Sequence, residues 1–184
     1  MSRAGSTKVQ IEPFDPDRHD RSTFTSGVEA VDNFFKRTAG KLARAENLRL
    51  YVMTNSSGSV IGFHAVNAHA IEYGDLPAKY ARSRPRHGAI PAAFIAMIGV
   101  GLQWQGQGFG GDLLADALTR IGRAADAIGI AVVVLDVLDE GDEAKIARRK
   151  AIYERYGFRP LPSQPLRLFL PMATVRRLLI QELG

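Results

Sequence analysis

Residues 105–111 carry four glycines within six positions, and a stretch of helical spacing follows at once. Glycine leaves main-chain N–H groups unshielded, so a ligand can approach the backbone closely. The apolar residues after the glycines recur at steps of three and four, which predicts a helix that begins here. Such a helix points its unsatisfied N–H groups and its positive dipole end into the glycine segment. The segment is therefore predicted to bind an anion, and phosphate is the usual anion at such a site.

The size and composition of the chain predict one globular domain. Of its 184 residues, 46% are hydrophobic and 23% are charged, which is typical of a folded protein. We expect a single domain over residues 8–184, preceded by a flexible N-terminus at residues 1–7. The start of the chain lacks the apolar core of a signal peptide, and the longest apolar run, residues 127–135, is too short to span a bilayer. We therefore expect a cytoplasmic protein with no membrane partner.

Metal chemistry is not expected from this sequence. The chain contains no cysteine, which excludes disulfides, thiolate metal sites and cysteine nucleophiles. The four histidines are scattered, with no close cluster of carboxylates and histidines, so the sequence predicts no metal site.

Periodicity and turn residues predict a mixed α/β fold. The predicted strands are residues 8–14, 48–54, 60–71, 92–101, 129–137 and 166–170. The predicted helices are residues 27–44 with Ser26 as the N-cap, the helix after the glycines up to about residue 127, residues 143–156 and residues 173–183. Antiparallel strands thus come first, and a parallel strand–helix–strand crossover occupies the centre.

Two common phosphate-binding motifs fit the glycine segment poorly. A nucleoside-triphosphate P-loop requires Gly-Lys-Ser/Thr, which the chain lacks. The dinucleotide fingerprint is matched literally by Gly106, Gly108 and Gly111, with Asp136 at the end of the next strand. A dinucleotide-binding domain usually opens with this unit and adds several parallel strands, whereas about 90 residues of helix and hairpin precede the glycines here. This order disfavours a dinucleotide.

A third motif fits both the residues and their position. Residues 105–110, read as Gln-x-x-Gly-x-Gly, resemble the Q/R-x-x-G-x-G/A motif with which GNAT N-acetyltransferases bind the pyrophosphate of coenzyme A. The segment 153–158, Tyr-Glu-Arg-Tyr-Gly-Phe, resembles the helix-to-strand run of the same family. The resemblance covers residues 8–171. It implies a GNAT fold, in which antiparallel N-terminal strands and a parallel βαβ core form a mixed central sheet flanked by helices.

The resemblance also implies acetyl-CoA as the co-substrate and assigns residues to it. The main chain of Ile98 and Val100 would bind the pantetheine arm. The pyrophosphate would be bound by the residues of the glycine segment, which are Gln105, Gly106, Gln107, Gly108, Phe109, Gly110 and Gly111. Tyr153 stands at the family's tyrosine position and is implied to be the catalytic acid, because a phenol with a pKa of about 10 is protonated at neutral pH and can protonate a departing thiolate.

One branch of the family resembles the chain further. Residues 24–35, Phe-Thr-Ser-Gly-Val-Glu-Ala-Val-Asp-Asn-Phe-Phe, resemble the opening motif of the toxin-type GNATs, and residues 90–95 resemble the stretch before their central strand. Members of this branch acetylate the amino group of aminoacyl-tRNA and so block translation. The resemblance implies an aminoacyl-tRNA substrate, a small ribbon–helix–helix antitoxin as partner, and a homodimer.

The acceptor can also be approached through proton chemistry. No acidic residue presents itself clearly as general base, and Glu72 is the best candidate. An α-amino group, with a pKa of about 8, is partly neutral at pH 7, whereas a lysine amine, with a pKa of about 10.4, is almost wholly charged. The lack of a clear base therefore favours an α-amine acceptor.

Basic residues offer contacts for the tRNA backbone. The net charge is +5, and the candidate contacts are Lys79, Arg82, Arg84, Arg86, Arg148 and Arg149. Two other functions stay open at this point. One is acetyl transfer to a small-molecule amine or a protein N-terminus. The other is a coenzyme A-binding regulator without catalysis that acts with a DNA-binding antitoxin.

Overall fold

A computed structural model describes residues 8–84 and 88–183 and contains a seven-stranded mixed sheet with the strand order β1-β2-β3-β4-β5-β7-β6. The strands are β1 (Val9–Pro13), β2 (Arg49–Asn55), β3 (Val60–Glu72), β4 (Ala89–Val100), β5 (Val132–Asp136), β6 (Arg159–Leu161) and β7 (Gln164–Pro171). The helices are α1 (Glu29–Asn33), α2 (Ala39–Arg44), α3 (Ala78–Ala81), α4 (Phe109–Ala127), α5 (Glu143–Glu154) and α6 (Met172–Leu183). The candidate tRNA contact Arg86 lies outside the described residues.

The described residues form two compact units. The first contains the residues up to Asn67 together with Ala96–Ala117, and the second contains Ala68–Ile95 together with the residues from Leu118 onward. The single domain expected from the sequence stays a prediction. In the described part of the chain, no helix is both long enough and apolar enough to cross a membrane.

In the first unit an aromatic cluster forms the core beneath antiparallel strands. β1 pairs with β2 and β2 with β3, so that Val52 lies opposite Phe63. The buried rings of Phe35 and Phe63 stack with their centroids 4.1 Å apart, and Phe24 meets Phe35 edge-on at 4.9 Å. Gly99 passes so close that an added Cβ would lie 2.5 Å from the Phe63 ring. The close packing of β4 against this cluster therefore depends on glycine at position 99.

The single helix predicted at residues 27–44, with Ser26 as its N-cap, is wrong. α1 begins only at Glu29, with Val28 as its N-cap. A π-helical segment, Phe34–Thr38, then separates α1 from α2, and the N–H of Ala39 accordingly reaches the carbonyl of Phe34. Arg21 donates a hydrogen bond of 2.5 Å to the carbonyl of Phe35 within this segment. The π-helix therefore depends on a side chain from outside the helix.

In the second unit β5 forms the centre of the sheet. It pairs parallel with β4, where Ala93 lies opposite Val133, and antiparallel with β7. The side chains from Val132 to Leu135 are all buried, which confirms the prediction of a strand covered on both faces. β6, which was not predicted, pairs antiparallel with β7.

Candidate active site

The glycine segment presents a row of unused hydrogen-bond donors. The carbonyl of Gly108 accepts the N–H groups of Gly111 at 3.0 Å and Asp112 at 3.2 Å, which starts α4. The main-chain N–H groups of residues 106–110 donate to no described residue. Gly106 and Gly108 adopt positive φ values of 76° and 91°, which turn successive peptide groups in a way that other residues rarely allow. These donors, at the positive end of a long helix, suit a phosphate group.

Gln105 supports this row from inside the protein. Its Nε2 donates to the carbonyl of Val100 at 2.9 Å and to the carbonyl of Ser26 at 2.8 Å, so both amide hydrogens are used. The side chain therefore fixes the start of the glycine segment. The main-chain N–H of Gln105 donates to the carbonyl of Leu102 at 3.3 Å, so Gln105 supports the row without adding a free donor to it. Gln107 likewise turns its Nε2 to the carbonyl of Gln103, at 3.3 Å.

The main chain at Ile98 and Val100 lies past the part of β4 that pairs with β5. The ladder between β4 and β5 ends at Ile95 opposite Leu135, whereas β4 continues to Val100. The side chains of Ile98 and Val100 pack against a cluster of Met53, Ile61, Phe109 and Leu113. These contacts hold the end of β4 in place, and the edge of the strand toward β5 is not paired with β5 there.

Tyr153 lies on α5, in the second unit, and its hydroxyl donates to no described residue. Its ring meets Phe158 edge-on, with the centroids 6.0 Å apart. Burial raises the pKa of the Tyr153 phenol above its usual 10.0, although the charge of Arg149 lowers it in part. The phenol is therefore protonated at neutral pH, and its proton is not donated to any other described residue.

The candidate tRNA contacts differ in their exposure and in the hydrogen bonds that they already make within the protein. Arg149 donates to the carbonyl of Leu138 at 3.0 Å and to Glu140 at 2.5 Å. Of the candidates, Lys79, Arg82 and Arg148 have exposed side chains. Arg84 is half-buried, and its Nε has no hydrogen-bond partner among the described residues.

In the part of the chain that the structure describes, the acidic and histidine residues form no alternative catalytic cluster. Glu72 and Asp75 form a reciprocal capping box around a short 3-10 turn, so the candidate base is already hydrogen-bonded to the main chain. The buried Nε2 of His64 lies 2.7 Å from Asp116, within the first unit. Within the described residues, no three His, Asp or Glu side chains are grouped in a way that could hold a metal ion.

Comparison with known proteins gives close relatives along the whole chain. The chain is 59% identical over 180 residues to the probable toxin TacT of Sinorhizobium fredii, covering 97% of this chain and 99% of the relative. It is 31% identical over 163 residues to the tRNA-acetylating toxin of Mycobacterium tuberculosis, covering 89% and 92%. No protein-family model matches the chain.

Solved structures agree in fold. The structure of AtaT complexed with acetyl-methionyl-tRNAfMet superposes with a TM-score of 0.81 at 25% identity, covering 94% of this chain and 99% of that one. AtaTR bound with acetyl-CoA gives a TM-score of 0.77 at 25% identity, covering 93% and 98%. A tyrosine-to-phenylalanine variant of AtaT, bound to the C-terminus of the antitoxin AtaR and to acetyl-CoA, shares the fold with a TM-score of 0.75 at 22% identity, covering 93% and 98%.

Proposed function

Because the chain belongs to the GNAT-fold toxins that acetylate tRNA, we propose that it transfers the acetyl group of acetyl-CoA to the α-amino group of an aminoacyl-tRNA and so blocks translation. The observation that carries the proposal is the row of unbonded N–H groups at residues 106–110, which offers the pyrophosphate of the donor a ready-made binding site. The AtaT complex with acetyl-methionyl-tRNAfMet supports the choice of acceptor.

The donor is proposed to bind along one continuous stretch of main chain. Ile98 and Val100 would pair with the pantetheine arm, since their main chain lies past the end of the β4–β5 ladder. The N–H groups from Gly106 to Gly110 would hold the pyrophosphate, with Gln105 as the support described above, whereas the N–H of Gly111 already donates to Gly108. No metal is needed for this binding, because the N–H groups and the helix dipole supply the positive potential.

Tyr153 is proposed to be the general acid. The amine nitrogen attacks the thioester carbonyl carbon, the carbon–sulfur bond breaks, and the departing thiolate takes the hydroxyl proton of Tyr153. The excess proton on the new amide nitrogen leaves to water or to the phenolate, which restores Tyr153. Burial raises the pKa of Tyr153, so the phenol still carries its proton when the carbon–sulfur bond breaks.

An α-amino acceptor fits a site that lacks a dedicated base. Glu72 already caps a turn, and an α-amine with a pKa of about 8 is neutral often enough at pH 7 to react without one. Lys79, Arg82, Arg84 and Arg148 are proposed to contact the tRNA backbone. Arg149 would act mainly by holding the segment at Leu138 and Glu140.

The biological setting is proposed from the same relationship. AtaT is bound by the C-terminus of its antitoxin, and we expect a small ribbon–helix–helix antitoxin to neutralise this chain in the cytoplasm. A homodimer is the expected assembly. Co-purification of the chain with the product of an adjacent short reading frame would test the first expectation, and light scattering the second.

The enzymatic proposal is tested by label transfer. Acetyl-CoA labelled in the acetyl group is incubated with total charged tRNA, with the same tRNA after mild alkaline deacylation, and with lysine or a polyamine. Label should enter only the charged tRNA. Efficient labelling of a free amine, or of deacylated tRNA, would overturn the proposed acceptor while leaving acetyl transfer itself intact.

A further inference from the structure

The carboxylate of Asp32, on α1, organises the turn that precedes that helix. Its Oδ1 accepts the main-chain N–H and the hydroxyl of Ser26, each at 2.7 Å, and its Oδ2 accepts the hydroxyl of Thr25 at 3.1 Å. Partial burial alone would raise the pKa of Asp32, but the hydrogen bonds from Ser26 and Thr25 hold it below the usual 3.8. Asp32 is thus an ionised acceptor that fixes both residues of the turn.

This turn is joined directly to the glycine segment. The carbonyl of Ser26 accepts one hydrogen of the Gln105 amide at 2.8 Å, and the carbonyl of Val100 accepts the other at 2.9 Å. The carbonyl of Thr25 accepts the N–H of Leu102 at 2.8 Å. The residues between the end of β4 and the start of α4 are therefore anchored to the turn that Asp32 organises.

From this network we infer that Asp32 is a positioning residue for the donor site. It acts through Ser26 and Gln105 to keep the N–H groups of residues 106–110 directed at the pyrophosphate of acetyl-CoA. The inference rests on the proposed function, since it presumes that these N–H groups bind coenzyme A. Asp32 itself does not touch the ligand, and its effect should appear in donor affinity and not in the chemical step.

The distinctive consequence is energetic coupling between two residues that share no contact. Gln105→Met keeps the length of the side chain and removes both amide donors, so we expect an affinity for coenzyme A that is weaker by about tenfold, or about 1.4 kcal/mol. Asp32→Ala should weaken binding three- to tenfold. The dissociation constant of the double variant should exceed that of the weaker-binding single variant by no more than about twofold. Either change breaks the same chain of contacts, so the second change has little left to remove.

Conservative substitutions test whether the hydrogen bonds of Asp32 and Gln105, and not merely the size of their side chains, position the donor site. Asp32→Asn retains an oxygen for both Ser26 hydrogen bonds and should bind coenzyme A within about twofold of the unsubstituted protein. Gln105→Glu places a carboxylate against two carbonyl oxygens and should weaken binding more than Gln105→Met does. Ser26→Ala keeps the main-chain bond to Asp32, removes the hydroxyl bonds to Asp32 and to the main chain of Val28, and provides a second cycle with Gln105→Met.

Calorimetric titration with coenzyme A provides the test, together with KM for acetyl-CoA, kcat and the melting temperature of each variant. Glu29→Ala removes an exposed carboxylate from the same helix, and Val175→Ala creates a cavity at a fully buried position of α6. The second control should lower the melting temperature with coenzyme A affinity unchanged. We expect KM to rise in the Asp32 and Gln105 variants while kcat stays within about threefold.

Two failures can be told apart. If the unsubstituted protein binds no coenzyme A, the proposed function fails. If it binds coenzyme A and transfers acetyl groups, but the Asp32 and Gln105 effects multiply independently in both cycles or are absent, the proposed function stands and the positioning role of Asp32 is wrong.

Discussion

Replacing Tyr153 by phenylalanine removes one oxygen atom, and the effect of this loss on the stability of the protein can be estimated. The hydroxyl donates to no described residue, so no hydrogen bond is broken and no partner is left unsatisfied. The ring keeps its edge-on contact with Phe158. We therefore expect the free energy of unfolding at pH 7 to change by less than about 0.5 kcal/mol.

Activity should respond very differently. Removal of a general acid typically costs about 10²- to 10⁴-fold in rate, which is roughly 3–5 kcal/mol of transition-state stabilisation. The dissociation constant for coenzyme A should be unchanged, because Tyr153 is not among the donor-binding residues. The loss should therefore appear in kcat, measured under saturating acetyl-CoA and charged tRNA.

The raised pKa of Tyr153 gives a second readout of the same variant. As pH rises past 10.0, the phenol ionises in the unfolded chain before it ionises in the folded one. The stabilisation from the protonated phenol is complete below this pH and is lost as pH rises through the folded-state pKa. Urea midpoints should thus fall less steeply at alkaline pH for Tyr153→Phe. A variant that keeps more than about a tenth of kcat would refute the role of Tyr153 as the acid.

Three further predictions concern the rest of the molecule. Arg82→Gln and Arg148→Gln should each lower the slope of log(kcat/KM) against log(salt) by about one, and an unchanged slope would exclude that residue from the tRNA contact. Gly99→Ala should lower the melting temperature by roughly 2–12 °C, since its Cβ would lie 2.5 Å from Phe63 and overpacking costs about 1–3 kcal/mol; an unchanged melting temperature would contradict this packing. The hydrogen bond from His19, aided by Arg18, lowers the pKa of Glu12 below 4.5, so its stabilisation is present above that pH and is lost as pH falls. Urea midpoints should therefore fall less on acidification for Glu12→Gln, and parallel curves would contradict the account of Glu12.

The elements predicted best are those whose information is local. The four residues from Val132 to Leu135 read as a strand buried on both faces, and α4 follows from its apolar periodicity and the glycines before it. In each case the residues that decide the structure lie within the element or next to it.

The elements that were missed depend on distant partners. Phe34–Thr38 has ordinary helical spacing, and its π-helical form accompanies a hydrogen bond from Arg21, which lies 14 positions from Phe35. β6 is only three residues long and contains Pro160, so its pairing with β7 defines it. The π-helical segment and β6 both accompany contacts with distant residues, and the local sequence pattern does not indicate those contacts.

The site shows the same division. The motif predicts a donor segment at residues 105–111, and the structure has unbonded N–H groups at residues 106–110. The direction of the Gln105 side chain could not be foreseen, because one of its two acceptors, Ser26, lies 79 positions earlier in the chain. The proposed role of Asp32 was missed for the same reason, although a carboxylate six residues after the serine of a Thr-Ser-Gly turn is a usable signal for a capped turn.

Mass spectrometry of the tRNA 3′ end tests the central claim most directly. Charged tRNA is incubated with the protein and acetyl-CoA, and a nuclease then releases the terminal aminoacyl-adenosine. The account predicts that this fragment gains one acetyl group, that fragmentation places it on the α-amino nitrogen, and that Tyr153→Phe abolishes the gain. If the protein consumes acetyl-CoA in this reaction but the terminal aminoacyl-adenosine is recovered unmodified, the account is contradicted.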